Sequence, residues 1–179
     1  MNLARLDTIK IGISSCLLGQ LVRFNGGHRY DHYINEELRG RFEFVAYCPE
    51  VAIGLGVPRD PIQLVSTDGG IRVLGVHDPN LDVTKPLQQY GQQVATQLDS
   101  LSGYIFKARS PSCGIGSVKL HAPSGALLNQ LGVGAYSDEI MKAHPQLPVI
   151  DEGMLADPAA RDEFLARVTA YHQHLMFVP

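Results

Sequence analysis

Three short β-rich runs, each leading into a cysteine, constrain this chain more than any other feature. Ile9-Lys10-Ile11-Gly12-Ile13-Ser14 reads as a buried strand that enters a loop at Cys16. Phe42-Glu43-Phe44-Val45-Ala46-Tyr47 reads as a second, ended by Cys48-Pro49 because proline cannot donate to a central ladder. Gly103-Tyr104-Ile105-Phe106 is a third, running through Lys107-Ala108-Arg109-Ser110-Pro111-Ser112 to Cys113-Gly114. Helical patterns lie between and after them. Ile34 and Leu38 mark a short helix over Asp31 to Arg39, with Gly40 as its stop. Leu87, Tyr90, Val94, Leu98 and Leu101 form one apolar stripe, which predicts a helix from Thr84 to Leu101 with Thr84 as its cap. Ser137 is expected to cap a helix to His144, and Leu147 to Ile150 to add a strand. Asp157-Pro158 opens a last helix that buries Phe164, Leu165, Val168, Tyr171 and Leu175.

Strands that alternate with helices predict an α/β fold: a Rossmann-like, three-layer domain with a mainly parallel sheet, whose ligands sit in loops at the carboxyl ends of strands. All three cysteines fall there. Pro61 to Ser66 and Ile71 to Val76 flank Thr67-Asp68-Gly69-Gly70, the turn chemistry of a small hairpin excursion from that sheet. At 179 residues and 45% apolar content, one domain can build its core without crosslinks.

An odd set of three cysteines is not the paired framework of a secreted domain and points to a reducing cytoplasm. The apolar run after Lys10 is too short for a signal-peptide core, and Ile13-Ser14-Ser15-Cys16 matches a lipoprotein site only faintly. No stretch reaches the roughly 20 apolar residues that span a bilayer, so no membrane partner is expected. A net charge of -3 excludes a global basic field for nucleic acid.

The cysteines are too widely spaced for a local knuckle, so a shared role requires the fold to bring three strand ends together. A tripod of thiols beside glycine and proline loops suits an iron–sulfur cluster or another soft-metal site. Three separately buried thiols are the plain alternative. A rival from another class is a non-catalytic module in which the thiols bind zinc, with His28 as fourth ligand, or sense oxidants. His28 and His32 have i, i+4 zinc-ligand spacing with Asp31 nearby, but without the glutamate of a metalloprotease helix. His172 and His174 read as surface residues, and His77, His121 and His144 carry no spacing signal.

Four blocks carry a resemblance: Ile13-Ser14-Ser15-Cys16-Leu17-Leu18-Gly19; Val22-Arg23-Phe24-Asn25-Gly26-Gly27-His28; Cys48-Pro49-Glu50-Val51 with Gly54-Leu55-Gly56-Val57-Pro58-Arg59; and Lys107 to Gly114. In order and spacing they resemble the family once called domain of unknown function 523 (DUF523), which includes the thiouracil desulfidases. The resemblance runs from about Lys10 to Ile150. It implies a [4Fe–4S] cluster held by Cys16, Cys48 and Cys113, with one iron not ligated by cysteine. It implies non-redox removal of sulfur from a small thiolated nucleobase or nucleoside, with 4-thiouridine in tRNA as a second candidate. Glu50 is implied as general acid/base and Ser110 as its catalytic companion; the plain readings are an exposed loop carboxylate and a Ser-Pro turn. Ser112, Lys107 and Arg23 are the expected substrate contacts, with Arg59 and Arg109 nearby; isolated surface cations are the plain reading. The desulfidase domain is expected over 1–155. Residues 156–179 form a C-terminal helix resembling the lead into a further domain of longer members, so a fragment or a natural short form is expected. The oligomeric state is left open.

Overall fold

The computed structural model describes residues 8–177, and the frame of the molecule is a parallel sheet. β1 (Lys10–Ser14), β2 (Glu43–Tyr47), β5 (Leu101–Phe106) and β8 (Val149–Asp151) lie in the order β2-β1-β5-β8, every pair parallel. The period of two along each strand sorts side chains to opposite faces. Ile11, Ile13, Ile105 and Ile150 pack with Leu17, Ile34, Leu38, Phe164 and Val168. Tyr104 and Phe106 pack on the other face with Val94, Leu98, Tyr136 and Ile140. Gly12 makes room for the Tyr104 ring, whose Cε2 lies 2.6 Å from where a Cβ would stand.

Helices cover both faces, giving the three layers that the sequence predicts. α2 (Thr84–Ala95) and α3 (Ala135–Ala143) flank one side. α5 (Pro158–Phe177) and the short helix Tyr33–Leu38 flank the other. That short helix is wound wider than an α-helix, with the Arg39 N–H donating to Ile34 O at 3.1 Å. Asn35 Nδ2 ties it to Leu17 O at 2.9 Å, beside the first cysteine. Among the described residues no helix is long and apolar enough to cross a membrane.

Three local expectations are corrected. α2 ends at Ala95, not Leu101; Leu98 and Leu101 are still buried, but as part of a turn and as the first residue of β5. Thr84 is not the cap. Asp82 Oδ1 accepts from the Thr84 N–H at 3.0 Å and from its hydroxyl at 2.6 Å, while Thr84 Oγ1 accepts from the Val73 N–H. Ser137 sits inside the first turn of α3, its hydroxyl donating to Gly114 O at 2.9 Å.

The hairpin is also larger than its sequence implies. β3 (Ile62–Thr67) and β4 (Gly70–Gly75) are joined by β6 (Ile115–His121) and β7 (Leu127–Val133) in a second four-stranded sheet, ordered β4-β3-β6-β7. β3 and β6 run parallel and the other neighbours antiparallel. Leu64, Val73 and Val118 of this sheet pack on Val83 and Leu87.

Gly134, between β7 and α3, presses on the backbone of Ser112 and Cys113, where an added Cβ would overlap main-chain atoms. Backbone cannot yield as a side-chain tip can, so Gly134→Ala should cost about 1–3 kcal/mol. For a chain of this size that lowers Tm by roughly 2–4 °C per kcal/mol. Gly40→Ala, with nothing within 4 Å, should leave Tm unchanged. Equal Tm values in thermal unfolding would show that the loop bearing Cys113 is not held this way.

Candidate functional site

The strand order reverses at β1: the chain steps to β2 on one side and later returns to β5 on the other. Reversals of this kind open a crevice at the carboxyl ends of strands. Around it β1 runs into a tight turn, Ser15–Leu18, closed by Gly19 at φ 89°, which places Cys16 at its second position. Cys48 is extended, and Pro49 then starts the short helix α1 (Pro49–Ala52), which puts Glu50 in its first turn. β5 leads into the loop that carries Cys113, with Arg109 in the left-handed region at φ 62°. The second sheet closes the crevice into a cavity of about 670 Å³ lined by Cys16, Cys48 and Cys113. That volume lies within the roughly 300–1,000 Å³ of small-molecule sites.

All three thiols are free, and burial holds them protonated. It pushes Cys16 up to about 11; the Lys107 ammonium pulls it down and the charges of Cys48 and Glu152 push it up. Burial also raises Cys48, and it raises Cys113 well above the ordinary thiol range despite a hydrogen bond from Ser14. The mutual influence of the thiols follows from their sharing one cavity.

Glu50 lines the same cavity and is not an exposed loop carboxylate: 15% of its side chain is accessible. Arg59, 6% accessible, donates to Oε2 through Nε at 2.9 Å and Nη2 at 2.7 Å. Ser112 Oγ donates to Oε1 at 2.8 Å. Arg59 is itself held by Gly56 O at 2.8 Å and Val22 O at 2.9 Å. Two bonds fill the lone pairs of Oε2, so the acceptor site left over is on Oε1. A carboxylate held by three donors cannot swing, which fixes where it can take or return a proton.

The other expected residues divide into two groups. Ser110 lines the cavity, and its Oγ accepts from the Cys113 N–H at 3.1 Å and the Ser112 N–H at 3.3 Å. Its own hydroxyl proton has no acceptor among the described residues. Arg23 lines the cavity too, its guanidinium 5.5 Å from the Phe24 ring centre. Ser112, by contrast, is fully buried behind Glu50, while Lys107 lines the cavity with its ammonium bonded to the Glu152 carboxylate and to Ala108 O. Ser112 thus acts on its neighbour Glu50. Arg109 lines the cavity, whereas Arg59 is the partner of Glu50 and not an isolated surface cation.

The histidines with zinc spacing lie elsewhere. His32 Nδ1 is 2.9 Å from Glu36 Oε1, and exposed His28 accepts from the Tyr30 N–H. His172 is not a free surface residue, because its Nδ1 bonds Ser102 at 3.0 Å. Sequence reasoning missed the opposite wall, where Gln63, Lys119, His121 and Gln130 come from the second sheet. The polar alternation of Lys119 and His121 was the available signal.

The donor set fits a thiolate-held cluster. Three soft sulfur donors share one cavity, the ligand type that iron–sulfur clusters take.

Comparison with known proteins gives a family and a fold. A family model described as 2-thiouracil desulfurase matches residues 11–152. YbbK, an uncharacterized protein of Bacillus subtilis (strain 168), is 30% identical over 129 residues, covering 69% of this chain and 85% of that protein. The solved structure of TudS, a [4Fe–4S]-dependent thiouracil desulfidase (DUF523), superposes with a TM-score of 0.67 at 27% identity, covering 87% of this chain and 99% of that one.

Proposed function

Because the chain belongs to the 2-thiouracil desulfurase family, we infer that it removes sulfur from thiolated pyrimidines without net redox change. One observation carries the reading: three separate loops that follow β1, β2 and β5 bring Cys16, Cys48 and Cys113 to one cavity whose wall also holds an immobilised Glu50. Cys16, Cys48 and Cys113 are the residues that would hold a [4Fe–4S] cluster. When bound, with three protein thiolates for four irons, it supplies one iron without a cysteine ligand, a Lewis acid for a soft thiocarbonyl sulfur.

This chain's own residues supply the proton chemistry. Glu50 Oε1 accepts a proton from water, and the oxygen adds to the ring carbon that bears sulfur. Ser110 Oγ–H is placed to donate to the ring or to the departing sulfur. Glu50 then returns its proton to sulfur, the C–S bond breaks as the added hydroxyl becomes the carbonyl, and the hydroxyl proton leaves with the sulfide, so the balance is C=S + H₂O → C=O + H₂S. Arg59 and Ser112 keep the carboxylate aimed throughout. A reducing compartment such as the cytoplasm keeps the thiols available.

The substrate is a free thiolated base or nucleoside. A net charge of -3 argues against tracking an RNA backbone, and a 4-thiouridine inside tRNA would first have to leave its stack. In the deciding experiment the chain is purified without oxygen, analysed for iron and labile sulfide, and given 2-thiouracil and 4-thiouracil. About four irons and four sulfides per chain, with uracil and sulfide released one for one without added reductant, is expected. Stoichiometric zinc and no turnover would overturn the reading in favour of a non-catalytic metal module.

A further inference from the structure

Resting on that reading, we propose that the second sheet supplies the surface that recognises the pyrimidine ring and turns its sulfur toward the thiols. The cavity has two chemically distinct walls. One is built from strand ends of the parallel sheet and carries the thiols. The other carries Gln63 of β3, Lys119 and His121 of β6, and Gln130 of β7.

Strand register puts three of these on one face. In the parallel β3–β6 pair, Leu64 lies beside Leu120 and Val65 beside His121, so Gln63 and Lys119 share the face of His121. Gln130 lines the same cavity from β7, across a β6–β7 pairing whose register shifts. The reverse face presents Leu64 and Val118 to the apolar core. Sheet packing therefore explains the apolar side and gives no reason for the polar one.

Nor does the local hydrogen bonding. Among the described residues, the half-buried Gln63 and the exposed Lys119 and Gln130 have no hydrogen-bond or ion-pair partner within the protein, and His121 Nδ1 is the one atom of the four side chains that is buried without one. Buried polar atoms are normally satisfied, and one orphaned in a cavity wall marks a place where a ligand completes the bonding.

The chemistry of the ring matches. A thiouracil keeps one carbonyl oxygen and its ring N–H groups when the other oxygen is replaced by sulfur. A glutamine amide offers a donor and an acceptor side by side, complementary to an N–H and C=O pair, and an ammonium donates to a carbonyl oxygen. Sulfur is a poor hydrogen-bond acceptor. Binding the carbonyl edge at the amide wall is therefore favoured, and the thiocarbonyl is left facing the soft wall.

Uracil binding by calorimetry, together with kcat/KM, tests this in the holoenzyme with Gln63→Leu/Gln130→Leu. Uracil affinity should fall about tenfold or more. Discrimination between 4-thiouracil and pyrimidine-4-thione, which lacks the second carbonyl, should collapse from about 10²-fold toward unity. Iron content and the visible spectrum should not change. Should the double variant load poorly, Lys119→Met, a change at an exposed side chain, should show the same trend. Unaltered uracil affinity and discrimination would overturn the proposal. If the wild type releases no sulfide from either ring yet loses uracil affinity on substitution, the wall stands and the desulfidase reading fails.

Discussion

Serine in place of Cys48 is expected to yield a folded chain that retains little iron and releases no sulfide from thiouracil. The sequence has three cysteines, so no fourth thiol can take over from a lost one. A serine hydroxyl is a hard, protonated oxygen where a soft thiolate is required. Losing an outer-shell partner alone costs roughly 10–100-fold in metal affinity, and losing a ligand should cost more. Cys16→Ser and Cys113→Ser should behave alike, since each thiol lines the same cavity from a separate loop. Circular dichroism separates this outcome from unfolding. Loading should also depend on pH with a definite sign. Burial raises all three thiols, Cys16 to about 11, so at neutral pH each enters as S–H and releases a proton on ligation. Reconstitution of the apo chain should therefore improve from pH 7 to pH 9 and fail as pH drops. Full iron and turnover in any one of the three variants would refute the shared-cluster assignment.

What was legible in the residues follows from how local each signal is. β1, β2 and β5 announce themselves as short apolar runs with abrupt stops, and two of them deliver a cysteine within the next few positions. The apolar stripe from Leu87 to Leu101 misled because Leu98 and Leu101 are buried in the same core as Val94. A helix, a turn and a strand can satisfy one continuous periodicity when all three pack against one neighbour. The strands at 115–133 were missed for a different reason. β7 is exposed along most of its length and pairs with β6 through shifted register, so no clean alternation is written there. The wall opposite the thiols was hidden with them. The contact between Ser112 and Glu50 spans 62 residues, and no local pattern encodes it. Arg59 looked like an isolated cation because only the fold shows that its guanidinium reaches Glu50.

Glu50→Gln is expected to leave iron content and visible spectrum intact while lowering kcat by about 10²–10⁴-fold, the usual contribution of a positioned acid/base. The amide keeps the shape of the carboxylate but cannot take up a proton. With its oxygen toward the Arg59 guanidinium, its NH₂ can donate to the Ser112 hydroxyl, which then accepts, so the group stays fixed in place. Arg59→Met should separate positioning from charge. It leaves a carboxylate that is 15% accessible without its cationic partner, which should destabilise the chain by about 3–5 kcal/mol. Combining the two changes removes the stranded charge, so the double variant should recover much of that stability and none of the turnover. Recovery of stability without activity assigns to Arg59 the holding of Glu50 and to Glu50 the proton transfer. Wild-type kcat in Glu50→Gln, with the cluster in place, would move the proton transfer to another group on the cavity wall.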